Sequence, residues 1–294
     1  MTRNGRLIGK NLNQNMHKTV LLQESIDGLD LRAGKTFLDG TFGGGGHSRE
    51  AKKRLGDDLR IIGLDKDPEV IKNNPDFDVR SMSFAKLDEL DVHPDAILLD
   101  LGISSIQIEN SGRGFSFQKD EPLDMRMSDS GITATDILNS WDEHAIELIL
   151  RGFGEEKYSR KIARAIVLRR EVKPFSNTAD LVELISTVRP KSFKEKINPA
   201  TKTFQALRIA VNEELTALEQ GLEKGFEALK PGGRFAVISF HSLEDRIVKN
   251  FFRDRVKEGV GEFINKKPII ASDEEVTANP RSRSAKLRII KKNV

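Results

Sequence analysis

The sequence predicts an α/β fold: a mainly parallel sheet assembled from both ends of the chain, with a helical insert between. Three observations lead there. Short apolar runs ending in acids read as buried parallel strands; they are Lys35-Thr-Phe-Leu-Asp39, Arg60-Ile-Ile-Gly-Leu-Asp65 and Asp95-Ala-Ile-Leu-Leu-Asp100. They alternate with helical segments, the beat of a strand–helix–strand architecture. That beat then stops: from about Ser111 to Arg208 no strand run occurs, and it resumes only near Arg234.

Each element has a local reason. Between the first two strands, Ser48 to Leu55 is polar and long enough for a short helix, and Pro68 is placed to open another. In the insert, helices are expected over Ala134–Asn139, Asp142–Leu150, Lys157–Arg170 and Thr178–Val188, punctuated by Pro174, Pro190 and Pro199. Val211, Leu215, Leu218, Leu222, Phe226 and Leu229 recur at spacings of three and four, one face of a long helix that stops at Lys230-Pro-Gly-Gly. Phe235-Ala-Val-Ile-Ser-Phe240 is the next strand. Ala285-Lys-Leu-Arg-Ile-Ile290 alternates as an edge or hairpin strand does. The expected organisation is a discontinuous sheet domain over residues 16–110 and 209–294, a helical insert over 111–208, and a flexible extension over 1–15.

Composition narrows the function. The chain has no cysteine, which excludes disulfides, thiolate metal sites and cysteine nucleophiles, and fits a reducing cytoplasm. No apolar run reaches membrane-spanning length. The net charge of +3 is uninformative as a sum, but its distribution is not. Residues 151–175 hold eight Lys/Arg against three Glu, and Arg281 to Lys292 holds six bases and no acid.

Asp39-Gly-Thr-Phe-Gly-Gly-Gly-Gly-His47 follows a strand and precedes a helix, where glycines permit a tight turn and close approach to a ligand. Asp65 ends the next strand, 19 residues after Gly46, where a carboxylate can accept from both hydroxyls of an adenosine ribose. The turn is not G-x-G-x-x-G, and no Gly-Lys-Ser/Thr follows. Asp39, just before it, would repel a pyrophosphate but suits the cationic ends of S-adenosyl-L-methionine. Asp100, ending the third strand, is expected beside this turn.

Further motifs follow in order. They are His17-Lys-Thr-Val-Leu-Leu-Gln-Glu24, Leu99-Asp-Leu-Gly-Ile-Ser-Ser105, Arg113-Gly-Phe-Ser-Phe117 and Pro122-Leu-Asp-Met-Arg-Met127, then Gly154-Glu-Glu156 and Thr203-Phe-Gln-Ala-Leu-Arg-Ile209. Ser239-Phe-His-Ser-Leu-Glu-Asp-Arg246 and Asn279-Pro-Arg-Ser-Arg-Ser-Ala285 complete the set. With the glycine turn, they closely resemble the bacterial 16S rRNA (cytosine-N4)-methyltransferase family, H type or MraW. The resemblance runs from about His17 to the end. It implies a Rossmann-like class I S-adenosylmethionine-dependent methyltransferase sheet with an inserted helical domain. It implies N4-methylation of a decoding-centre cytidine in 16S rRNA of the small ribosomal subunit, in the cytoplasm. It also implies that Gly45, Gly46, His47, Asp65, Phe84, Asp100 and Gln107 form the methyl-donor pocket.

A cytosine amine is a poor nucleophile, so a group accepting its hydrogen assists transfer; Asp100, Ser104 and Ser105 are the candidates. Phe115 and Phe117 either stack an unstacked base or pack the insert. Asp124 and Arg126 either form an internal ion pair or line the base pocket. His241, just past a strand, either touches the base or is structural. Lys161 and Arg164 are expected on one helix face and bind phosphate or are merely solvated. The histidines have no metal-ligand spacing, and no metal is expected. A methyltransferase for a DNA base and a non-catalytic rRNA-binding assembly factor are the alternatives; oligomeric state is not encoded legibly.

Overall fold

The computed structural model describes residues 18–102, 112–189 and 198–294. The strands are β1 (Thr36–Asp39), β2 (Arg60–Asp65), β3 (Asp78–Ser81), β4 (Ala96–Asp100), β5 (Arg234–Ser239), β6 (Gly261–Phe263) and β7 (Lys286–Lys292). They form one sheet of order β3-β2-β1-β4-β5-β7-β6. The first five are mutually parallel, and β7 runs antiparallel between β5 and β6.

The strand side chains alternate between two apolar layers, as a doubly covered sheet requires. Leu38, Ile62, Ile97, Leu99, Phe235 and Val237 share one core with Leu218, Leu222 and Phe226 of α9 (Glu214–Ala228) and with Val248 and Phe252 of α10 (Ser242–Lys257). Phe37, Ala96, Leu98, Ala236 and Ile238 share the other with Ile26 and Leu29 of α1 (Leu22–Leu29) and Ala51 of α2 (Gly46–Leu55). The short α3 (Pro68–Lys72) is capped by Asp67, with Pro68 at its first position.

A third core is mainly helical. It gathers α4 (Ala134–Ser140), α5 (Glu143–Gly152), α6 (Ser159–Arg170), α7 (Thr178–Val188) and α8 (Thr201–Asn212) around Ile137, Ile146, Ile162, Phe175, Leu181 and Leu207. The caps are local: Thr133 and Asp136 form a capping box on α4, while Asp142 and Asn177 cap α5 and α7.

Two expectations need correction. The apolar series through Val211 and Leu229 spans two helices, because Glu213 adopts a left-handed conformation with φ 49°. The break is held from both sides. Arg208 grips Glu214 with two hydrogen bonds of 2.7 Å, and Asn212 bonds the Met125 carbonyl and Met127 N–H. The last strand, β7, is not at the edge, since the three-residue β6 covers its outer side.

Candidate methyl-donor site

Strand order reverses between β1 and β4, and ligands of such sheets bind outside the carboxyl ends at that point. Asp39, Asp65 and Asp100 stand there, at the ends of three adjacent strands. Asp39 is buried; it accepts from Ser48 Oγ at 2.7 Å and from the Thr41 N–H at 3.4 Å. Asp65 ties the turn to its own strand, accepting from the N–H groups of Gly43 and Asp67 at 2.8 and 2.9 Å. The Asp100 N–H donates to Thr41 Oγ1 at 2.6 Å, so one threonine in the turn fixes β4 against β1.

Two glycines of the turn are required by geometry. Gly45, with φ 69°, begins α2 in the left-handed region, and a Cβ there would press on the Phe42 ring. A Cβ on Gly46 would collide with Thr19 Oγ1. His47 is buried, its Nε2 3.3 Å from the Val20 carbonyl and its Nδ1 3.9 Å from Asp100 Oδ2. The segment from Lys18 to Leu21 is thereby laid over the glycine turn.

Among the described residues, no lysine or arginine forms a salt bridge with Asp39, Asp65 or Asp100. Burial pushes the Asp39 carboxyl up to about 6, and nearby Asp65 adds to the rise. Burial, then the charges of Asp39 and Glu244, push Asp100 up to about 8. Asp65 is also raised, chiefly by burial. The Asp100 Oδ1 atom is buried without a hydrogen-bond partner. Carboxylates wholly or partly buried with no lysine or arginine beside them make a crevice that favours a cation. This fits S-adenosyl-L-methionine, with its sulfonium, its ammonium and a ribose for Asp65.

The structure brings Gly45, Gly46, His47, Asp65 and Asp100 to one crevice. Phe84 opens the 3-10 turn Phe84–Glu89 beside Gly40, wedged against Gly221 of α9. Ser104, Ser105 and Gln107 lie outside the described residues. Phe115 and Phe117 are half-buried against the helical core, Phe117 meeting Phe204 edge-on at 5.4 Å. Asp124 and Arg126 pair with each other through two bonds of 2.7 and 2.8 Å. Lys161 and Arg164 are exposed on α6, without a carboxylate partner among the described residues.

His241 caps α10: its Nδ1 accepts from the Glu244 N–H at 3.4 Å, and its Nε2 lies 3.2 Å from Glu244 Oε1. Burial raises the Glu244 carboxyl, but contact with His241 and the charges of His241 and Arg208 outweigh it and keep it below its ordinary value. The sequence did not reveal Thr41, Glu244 or Arg208 as parts of this environment. Nor did it reveal that Glu214, His241 and Glu244 bring potential metal-ligand atoms within 4.8 Å of one another. Glu214 is already paired with Arg208.

A parallel sheet with an antiparallel strand near one edge, a glycine turn after β1 and acids on β1, β2 and β4 define a Rossmann-like methyltransferase whose donor is S-adenosyl-L-methionine. Within that class, the chain belongs to the MraW methylase family, whose model matches residues 14–293. A ribosomal RNA small subunit methyltransferase H from Stenotrophomonas maltophilia (strain K279a) is 47% identical, covering 94% of this chain and 93% of its own. A protein of the same name from Carboxydothermus hydrogenoformans is 44% identical, covering 94% and 97%. Solved structures are more distant: an S-adenosylmethionine-dependent O-methyltransferase from Thermotoga maritima aligns over 95% of this chain and 69% of its own, at TM-score 0.41 and 12% identity.

The raised acids have a measurable consequence. Near pH 7 the free crevice holds a proton on Asp100, and a bound cation stabilises the carboxylate and expels it. Donor binding is expected to release up to about one proton and to tighten as pH rises from 6 to 8, levelling off above that. Calorimetry in buffers of different ionisation enthalpy measures this. S-adenosylhomocysteine, lacking the sulfonium charge, should release less; equal and pH-independent binding of both ligands would contradict the assignment.

Proposed function

We propose that this chain transfers a methyl group from S-adenosyl-L-methionine to the exocyclic N4 of a specific cytidine in the decoding centre of 16S rRNA, in the cytoplasm. Three carboxylates around a glycine turn, with no lysine or arginine beside them, support a sulfonium donor there. The small-subunit rRNA methyltransferase names of relatives 44–47% identical support the acceptor.

Methyl transfer is an in-line displacement, so the main task is alignment of nitrogen, methyl carbon and sulfur. Asp65 holds the ribose, while Gly45, Gly46 and His47 shape the floor on which the donor lies; Phe84 and Gln107 complete its pocket. Asp100 faces the reacting end, where its carboxylate accepts an amine hydrogen and offsets positive charge developing on nitrogen. Ser104 and Ser105, four and five residues further along the chain, serve the same amine.

The cytidine must leave its stack to reach the donor. In this reading residues 111–208 form the RNA-recognition insert, and the sheet domain comprises 16–110 and 209–294. Phe115 and Phe117 keep part of their rings accessible and border the entering base. The Asp124–Arg126 pair fixes the loop behind them, and His241 holds the far wall through Glu244. Comparing 16S rRNA nucleosides from cells with and without the protein tests the assignment: loss of N4-methylcytidine supports it, and an unchanged profile overturns it.

Lys161 and Arg164 are proposed to meet backbone phosphate. Both lie on α6, which begins at Ser159 rather than at Lys157 as expected. Reversing both charges should lower the magnitude of the log-affinity versus log-salt slope for rRNA by roughly 1.4–1.8, at about 0.7–0.9 per lost contact. An unchanged slope would mark them as a solvated face.

A further inference from the structure

Beyond the donor crevice, a cleft of about 250 Å³ opens where β5 ends and β7 begins, lined by Phe240, His241, Ser242, Ile270, Arg283 and Lys286 among others. Its position relative to the reacting end follows from the sheet. Asp100 is paired with Ile238 in register, and Phe240 lies two residues beyond. The Phe240 ring comes within 3.5 Å of the place a Cβ on Gly102 would occupy, two residues beyond Asp100. The cleft therefore flanks the side of the crevice away from Asp65 and the ribose position, where an acceptor must arrive.

Its lining combines cationic and apolar groups. Arg283 is exposed and has no hydrogen-bond or carboxylate partner among the described residues. Lys286 and Arg288 share one acid, Asp245, at 3.1 and 2.7 Å, leaving a positive charge over. Glu155, which accepts from Ser242 Oγ at 2.7 Å, is offset by Arg246 at 3.0 Å. The apolar lining includes Ile270, 65% exposed, and the half-buried Phe240. Sites enclosing a whole small molecule are usually about 300–1,000 Å³; this smaller cleft suits one unit of a longer anionic chain.

The backbone that carries the arginine is held in place. Its 3-10 turn, Pro280–Ser284, is anchored by the fully buried Ser282, whose Oγ donates to the Asn279 carbonyl at 2.8 Å. Asn279 Nδ2 in turn donates to the Lys18 carbonyl at 3.0 Å, and Glu275 accepts from the Leu21 N–H at 2.9 Å. The segment lying over the glycine turn thus carries the same brace that holds Arg283.

We infer that this cleft binds a nucleotide of the RNA next to the methylated one, with Arg283 on its phosphate and Phe240 and Ile270 against its base or ribose. This rests on the rRNA reading above, and the test separates the two. Binding of transcribed 16S rRNA is measured by filter retention across a salt series, and donor binding by calorimetry, for wild type, Arg283→Glu and Arg283→Lys. Arg283→Glu should weaken rRNA binding about 10-fold and reduce the salt slope by about 0.7–0.9, the value for one phosphate contact. Donor affinity should be unchanged, and Arg283→Lys should recover most of the loss. Unchanged rRNA affinity and slope in Arg283→Glu would overturn the cleft assignment even if methylation proceeds. A wild type that binds rRNA in this Arg283-dependent way but transfers no methyl group to it would overturn the function and leave the cleft standing.

Discussion

Asp100→Asn should reduce methyl transfer by roughly 10²–10³-fold, the usual cost of removing one well-placed group that stabilises transition-state charge, and should make the donor-free protein more stable. The two effects share a cause. In the folded protein, burial and the charges of Asp39 and Glu244 raise the carboxyl of Asp100 to about 8. A carboxyl with a raised folded value binds protons more tightly folded than unfolded, so its contribution favours folding at low pH. That contribution falls as pH climbs from the ordinary carboxyl range to about 8. Asparagine removes the penalty while keeping the shape. At pH 8 the variant should melt at a higher temperature than the wild type, and the difference should shrink to nothing near pH 4. Near-normal turnover, or a loss of stability at pH 8, would sink this account of Asp100.

Asp65→Ala should weaken the methyl donor by about 10²-fold while leaving turnover at saturating donor much less changed. Hydrogen bonds to a charged group contribute about 1.5–3 kcal/mol each, and this carboxylate is assigned both ribose hydroxyls. It also braces the turn through the N–H groups of Gly43 and Asp67. Asp65→Asn retains one acceptor oxygen and should fall between wild type and Ala. Equilibrium titration with S-adenosylhomocysteine separates this binding loss from any loss of chemistry; wild-type affinity in the alanine variant would remove Asp65 from the donor site.

Much of the fold was legible because its central strands are buried on both faces. β2 matches its apolar run end for end, β1 and β4 each differ by a residue at one end, and β5 is shifted by one residue. β3 was not legible: Asp78-Val-Arg-Ser81 is partly exposed and carries no apolar run. The break at Glu213 was hidden because apolar spacing continues through it, while its supports, such as Met125 and Met127, come from about 85 residues away in sequence. The acids of the crevice were visible because each ends a strand. Glu244, which raises Asp100 from a different strand's following helix, became visible only when β4 and β5 proved to be neighbours. Asp124 and Arg126 show the reverse limit, since their spacing allowed a pocket role or an ion pair, and the structure pairs them.

In the proposed reaction this acidic crevice delivers a methyl group to a cytidine amine of small-subunit RNA. Purified protein is incubated with isotopically labelled S-adenosyl-L-methionine and unmethylated small subunits, free 16S rRNA or DNA, and the products are digested to nucleosides. Label confined to N4-methylcytidine from 16S rRNA, and lost with Asp100→Asn, is the expected result. Label in a DNA base, in another nucleoside, or in none of the substrates would contradict it.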